Sequence, residues 1–227
     1  MPQAEEKLEQ AVSRHPWLGL AISLFVAALA LLLFAWIADS VLDQKTESFD
    51  QQIRSAVHQH ASPQLTAAMR GITWLGSWQV LLPAVCCLLA IFILRGMTRE
   101  ARLLLVTVVG AEVLDIVLKL SFRRVRPAPF FGIPPLNTYS FPSGHALVSF
   151  CFYGLMAGLI TMRLRRKWVR AITWLVAIAI VGLIGFSRIY LGVHYPSDVI
   201  AGYIAAIFWM AAVKAVARRN KRQRVPA

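Results

Sequence analysis

Residues 17–38 read WLGLAISLFVAALALLLFAWIA, an apolar run without a single Asp, Glu, Lys or Arg. As a helix rising 1.5 Å per residue it would be about 33 Å long, enough to cross a hydrocarbon core of about 30 Å. The run is too long for the apolar region of a signal peptide. Its leader carries Glu5, Glu6 and Glu9, and no small-x-small cleavage site follows it. It is therefore expected to stay in place as a membrane anchor.

Five more apolar runs follow, at about 72–94, 103–120, 146–162, 171–186 and 199–217. Together the six leave no stretch long enough for an independent soluble domain. Composition agrees: 58% of residues are hydrophobic and 15% charged, where soluble domains run near about 45–50% and 25%. Disorder, a disulfide scaffold and a secreted enzyme are excluded. The expectation is an all-α, polytopic membrane protein with six transmembrane helices. It forms one domain over residues 1–227, with a basic cytoplasmic tail at 218–227. Cys86, Cys87 and Cys151 fall inside apolar runs, show no metal-ligand spacing and are an odd number for a disulfide framework.

A net charge of +13 often signals nucleic acid, so the placement of the charge matters. If the N-terminus is cytoplasmic, the cytoplasmic segments hold Lys7 and Arg14; Arg95, Arg99 and Arg102; Arg163, Arg165, Arg166, Lys167 and Arg170; and Lys214, Arg218, Arg219, Lys221, Arg222 and Arg224. These are sixteen of the 24 basic residues, a strong positive-inside bias that puts both termini in the cytoplasm. Most of the charge then serves topology and attraction to anionic headgroups. Nucleic acid is not expected as a partner, because the basic stretch 221–224 is short and has no fold around it.

Three segments remain for the opposite face. In 39–71, Phe49, Ile53 and Val57 recur every four residues with Asp50, Gln51, Gln52 and Arg54 between them. That pattern predicts a short extracytoplasmic amphipathic helix on the bilayer surface. Ser62-Pro63 reads as an N-cap followed by proline at the first helical position. His58 and His60 form an H-x-H pair without a third ligand nearby, so no metal site is expected there.

Segment 119–145 opens with Lys119, Arg123, Arg124 and Arg126 ahead of Pro127. Four cations at the outer end of a span run against the positive-inside trend. They fit either a snorkelling collar or an anion site. Pro127 is expected to end the helical continuation and so to set the direction of Arg126. The segment closes on SFPSGH at 140–145, directly before the fourth run. There Ser143 suits an N-cap and Gly144 lets a ligand approach the backbone. The free N–H groups of the helix start make an anion cradle with His145 at its rim.

Segment 187–198 reads SRIYLGVHYPSD. With Pro196 opening the sixth span, Asp198 can reach back to one nitrogen of His194, fix its tautomer and leave the other nitrogen free as a nucleophile. Arg188 adds another anion ligand. Taken singly, each segment also fits an ordinary structural role as collar, helix start or cap. Taken together they suit a tetrahedral oxyanion, with one histidine as nucleophile and the second as general acid.

K-x6-R-P at Lys119, Arg126 and Pro127, P-S-G-H at 142–145, and S-R-x5-H-x3-D at Ser187, Arg188, His194 and Asp198 stand in a distinctive order and spacing. In both respects the chain resembles the type 2 phosphatidic-acid-phosphatase superfamily, over nearly its whole length. The resemblance implies a membrane-integral lipid phosphatase of a bacterial cytoplasmic (inner) membrane, acting on the extracytoplasmic side. It implies that His194, held by Asp198, attacks the phosphorus. Lys119, Arg126, Arg188, Ser143 and the Gly144 N–H bind the nonbridging oxygens. His145 protonates the leaving oxygen, and water then cleaves the phosphohistidine. No metal or cofactor is expected.

Arg123 and Arg124 are expected to reach a second phosphate, which tilts the substrate toward diphosphates. Candidates are polyprenyl diphosphate, phosphatidylglycerol phosphate, diacylglycerol pyrophosphate and phosphatidic acid. Membrane lipids are the other expected partners, and the oligomeric state is open. On the third run Glu112, Asp115 and Lys119 share a helical face. Asp115 is expected to hold the Lys119 ammonium in place, with a proton relay as the alternative. Gly154 and Gly158 form a G-x3-G packing pattern. Three rival functions stand beside the phosphatase: a phosphotransferase of the same family, a transporter and a non-catalytic membrane protein. The transporter lacks the internal repeat usual for that class.

Overall fold

In apolar surroundings the backbone has to satisfy its own polar groups, so these runs become helices. The computed structural model of the chain describes residues 16–222. Glu5, Glu6, Glu9, Lys7, Arg14, Arg224 and the last part of the expected tail lie outside the described residues. Among the described residues there are eight helices and no strand: α1 Pro16–Leu42, α2 Glu47–Gln59, α3 Pro63–Trp74, α4 Trp78–Leu94, α5 Thr98–Phe122, α6 Gly144–Thr161, α7 Lys167–Tyr190 and α8 Pro196–Arg222.

Five helical stretches are long and apolar enough to cross a membrane: Trp17–Leu42, Pro63–Leu94, Gly144–Thr161, Lys167–Tyr190 and Pro196–Arg219. The third of the six expected spans, within α5, is not among them. Glu112, Asp115 and Lys119 interrupt its apolar stretch.

Helix α6 is central, packed against α5, α7 and α8, while α1 lies along α8, α4 against α5 and α3 against α7. Small residues on α8, Ala201, Ala205 and Ala206, let its neighbours approach closely in the core with Leu147, Cys151 and Phe141. One tight helix contact is at Gly110 of α5, where a Cβ would sit 2.0 Å from Trp209 Cζ2. Trp209 Nε1 donates to the Thr107 carbonyl at 2.9 Å across the same seam. The packing expected at Gly154 and Gly158 does not form: Gly158 has no neighbouring heavy atom within 4 Å, and Gly154 makes only ordinary contacts.

Two departures from the sequence reading shape the site. The second run is broken between Trp74 and Trp78. Gly76 in the break leaves no free room for a side chain, because a Cβ there would lie 2.6 Å from Ile184 Cγ2 and 3.3 Å from His145 Cδ2. The second departure concerns α2, which buries two charged residues beside its half-buried Ile53 and Val57. Asp50 and Arg54 are 0% and 6% exposed, whereas Phe49 is 45% exposed. Helix α3 begins as expected, with Ser62 accepting from the Leu65 N–H at 3.2 Å and proline at the helix start.

Candidate active site

The site forms where the end of α5, the start of α6, the end of α7 and the start of α8 converge. Helix α5 stops at Phe122, four residues earlier than a stop at Pro127 required. Arg123 takes the left-handed conformation, φ 48°. That conformation costs a non-glycine residue energy. Two hydrogen bonds offset the cost: Arg123 N–H to the Lys119 carbonyl at 2.9 Å and Nε to the Leu120 carbonyl at 3.0 Å. The chain then runs outward through Arg124 and Arg126. It is tied to the returning limb of the loop by the Ser140 N–H, which donates to the Arg124 carbonyl at 2.9 Å.

His194 lies in the short turn between α7 and α8, 1% exposed. Arg126 Nη1 is 2.9 Å from its Nε2. A guanidinium carries only donors, so Nε2 is the acceptor and the ring proton sits on Nδ1. Nδ1 faces Asp198 Oδ2 at 3.4 Å, an ion-pair separation too long for a well-formed hydrogen bond. The Asp198 carboxylate is fixed on its other sides by the Tyr195 N–H at 2.9 Å and Arg124 Nη1 at 2.6 Å. Burial pushes the His194 imidazole well below its ordinary pKa, and the positive charges of Arg126, Arg188 and Lys119 add to the effect. The ring is therefore neutral.

Arg126 is held by Thr138, Nε to the carbonyl at 2.9 Å and Nη2 to Oγ1 at 3.0 Å, and by the Val193 carbonyl at 2.9 Å. Burial lowers its pKa, Asp198 and Asp115 oppose that shift, and a guanidinium stays charged. Arg188 is 8% exposed and donates from Nη1 to Thr73 Oγ1 at 2.7 Å. Lys119 is ion-paired with Asp115 one turn before it. A Cβ on Gly144 would lie 2.7 Å from Asp115 Oδ2 and 2.9 Å from Lys119 Nζ, so this pair sits directly on the start of α6. His145 lies within electrostatic reach of Arg188, His194, Lys119 and Arg126.

Ser143 occupies the N-cap position of α6, yet its hydroxyl makes no capping bond, contrary to the sequence reading. Its N–H donates to the Asp198 carbonyl at 2.9 Å and its Oγ has no partner. Ser143 Oγ, Arg188 Nε, Asp115 Oδ1 and His194 Nδ1 are four of the six buried side-chain atoms without a hydrogen-bond partner among the described residues. Buried polar atoms are nearly always bonded, so this concentration in one place marks a site shaped for a polar ligand. A recess of about 620 Å³ opens beside Arg126, lined by Pro127, Leu136, Asn137 and Tyr139 among others.

Lys119, Arg126, Ser143, Gly144, His145, Arg188, His194, Asp198 and Asp115 are thus brought together. The side chains of Arg123 and Arg124 are committed elsewhere. Arg123 bonds its own helix end. Arg124 bridges Asp50 at 2.8 Å and Asp198 at 2.6 Å and also donates to Ser197 Oγ at 2.8 Å. Sequence reasoning missed Thr73, Gly76, Thr138, Asp50 and Ser197. The only hint for any of them was the Gly-Ser pair at 76–77, a turn signal inside an apolar run.

The sequence model described as the PAP2 superfamily matches residues 100–222. Phosphatidylglycerophosphatase B of Bacillus subtilis (strain 168) is 31% identical over 198 residues, 85% of this chain and 95% of that protein. The undecaprenyl-diphosphatase of Sulfolobus acidocaldarius is 35% identical over 122 residues, 51% of this chain and 54% of that one. Among solved structures, the transmembrane PAP2-type phosphatidylglycerolphosphate phosphatase from Bacillus subtilis superposes with a TM-score of 0.78. The identity is 30%, covering 88% of this chain and 100% of that chain.

Proposed function

The chain belongs to the PAP2 superfamily, and from that premise we propose that it removes a phosphoryl group from a lipid phosphate through a covalent phosphohistidine on His194. It is a lipid phosphatase, in keeping with the named phosphatases it is similar to. One observation carries the mechanism: Nε2 of a buried, neutral His194 is a bare acceptor, with Nδ1–H turned toward Asp198.

The substrate phosphate takes the place of the Arg126–His194 contact. Arg126, Arg188 and Lys119 then lie around its oxygens, with Ser143 Oγ and the Gly144 N–H completing the cradle. His194 Nε2 attacks in line. The three cations neutralise charge as the bond to the leaving oxygen lengthens, which is where fixed charges contribute most. His145 delivers a proton to that oxygen. It then takes one from the water that cleaves the phosphohistidine.

The same reading places the protein in a bacterial inner membrane with six spans, both termini cytoplasmic and the site on the outer side. Helix α5 serves as the third span because Asp115 and Lys119 turn toward α6 rather than lipid. Helix α2 lies at the outer surface. With Arg123 and Arg124 engaged elsewhere, the argument for a diphosphate lapses. The long match to phosphatidylglycerophosphatase B favours phosphatidylglycerol phosphate.

The test is phosphate release by purified protein in detergent from phosphatidylglycerol phosphate, undecaprenyl diphosphate, diacylglycerol pyrophosphate and phosphatidic acid, with a labelled acceptor lipid present. Free phosphate, fastest from phosphatidylglycerol phosphate and insensitive to chelator, is the expected result. Conversion of the labelled acceptor to its phosphorylated form without free phosphate would make it a transferase, and no turnover of any substrate would sink the reading.

A further inference from the structure

Helix α2 carries a fully buried carboxylate, Asp50, whose side-chain bonds run to the start of α8 and to Arg124. Asp50 Oδ1 accepts the Ser197 N–H at 2.9 Å, and Oδ2 accepts Ser197 Oγ at 2.6 Å and Arg124 Nη2 at 2.8 Å. Ser197 follows Pro196, which has no N–H, so Asp50 holds the first free N–H of α8 and places negative charge at its positive end. Arg124 forks the other way, from Nη1 to Asp198 Oδ1 at 2.6 Å. Its guanidinium carbon also lies over the Tyr195 ring, 4.1 Å from the centroid, a further contact on the fork.

We propose that Asp50 and Arg124 are positioning residues: they lock the Asp198 carboxylate in the rotation that presents Oδ2 to His194 Nδ1, and so tie the aim of the nucleophile to the docking of α2. The proposal rests on His194 being the nucleophile. Asp198 Oδ2 is shared between the Tyr195 N–H and His194, and the 3.4 Å separation from Nδ1 is too loose to orient a ring by itself. The Tyr195 N–H and the Ser140 hydroxyl also hold this carboxylate, and Arg124 supplies the one charged bond that pins Oδ1. Arg124 is in turn kept in place by a second buried acid, without which one guanidinium would face Asp198 alone. Neither Asp50 nor Arg124 reaches the oxygens of a phosphate held between Arg126, Arg188 and Lys119. They should therefore act on the chemical step rather than on binding.

The test measures kcat and KM per mole of monodisperse protein for the wild type, His194→Gln, Asp50→Asn and the double variant Asp50→Asn/Arg124→Gln. The double variant removes one positive and one negative charge together, so Asp50 is not left as a buried carboxylate without its cation, while Asp198 keeps its bond from the Tyr195 N–H. Wild-type turnover that vanishes in His194→Gln establishes the underlying reading independently. Given that, both other variants are expected to lose kcat by about 10- to 100-fold, with KM within about twofold of wild type. Wild-type kcat in the folded double variant would overturn the proposal, as would a loss expressed only in KM. A purely structural role would lower yield and Tm and leave kcat of the folded protein unchanged, which also overturns it.

Discussion

Gly144 shows how finely the anion site is fitted. A methyl group there meets the ends of two side chains, Asp115 Oδ2 and Lys119 Nζ, rather than backbone. Gly144→Ala is therefore expected to fold normally, push the Lys119 ammonium aside and raise KM by about tenfold. Steady-state kinetics beside a thermal melt checks this, and an unchanged KM would contradict it. His194 carries a pH prediction. Its folded pKa is depressed, so the ring stays unprotonated as pH falls through about 6.5, the ordinary histidine value. The acid limb of kcat/KM due to the nucleophile should then lie well below that pH, and an inflection at 6.5 lost in His194 variants would contradict the account. The sign for stability is the same: the contribution is full above about 6.5 and is lost as pH falls through the folded value. These residues were legible because each motif is local, with His194 and Asp198 one helical turn apart. Asp50, which bonds Ser197 from 147 positions away, and Thr73, which receives Arg188 from 115 positions away, leave no local pattern to read.

At the level of elements, the apolar periodicity located helices well and their breaks poorly. Helix α5 ends on a left-handed arginine, a conformation that side chains other than Gly, Asn and Asp rarely adopt, so nothing before Pro127 announced it. For α2, the spacing of Phe49, Ile53 and Val57 established which residues share a face but not which way that face turns. In a soluble protein the apolar side goes inward. Here Phe49 is exposed while Val57 packs beside Met69 and Tyr190, and Asp50 and Arg54 are buried between helices. The seam between α5 and α8 rests on Trp209 lying against Gly110. Gly110→Ala should displace that indole, break its bond to Thr107 and destabilise the protein by about 1–3 kcal/mol. A melt in detergent would read this as a lowered Tm with kcat retained, and an unchanged Tm would show the seam to be slack.

Across the whole molecule, the proposed function divides the charge that first raised the question of nucleic acid between topology and catalysis. The proposed orientation predicts that a cysteine placed between α1 and α2 reacts with an impermeant maleimide on intact cells, whereas one between α6 and α7 does not. The reverse pattern would invert the protein and put the site in the cytoplasm. The helical bundle serves one end of itself. Four helix ends, two short helices and the 123–143 loop bring three cations, two histidines and Asp198 together. That division of labour stands on His194 forming a bond to phosphorus. The most direct measurement is an alkaline quench of wild-type protein and His194→Gln during turnover of a lipid substrate labelled in its terminal phosphate. The account predicts a base-stable, acid-labile phosphoryl group on wild-type protein, mapped to the peptide containing His194, and neither label nor turnover in the variant. Turnover by His194→Gln at the wild-type rate would contradict it.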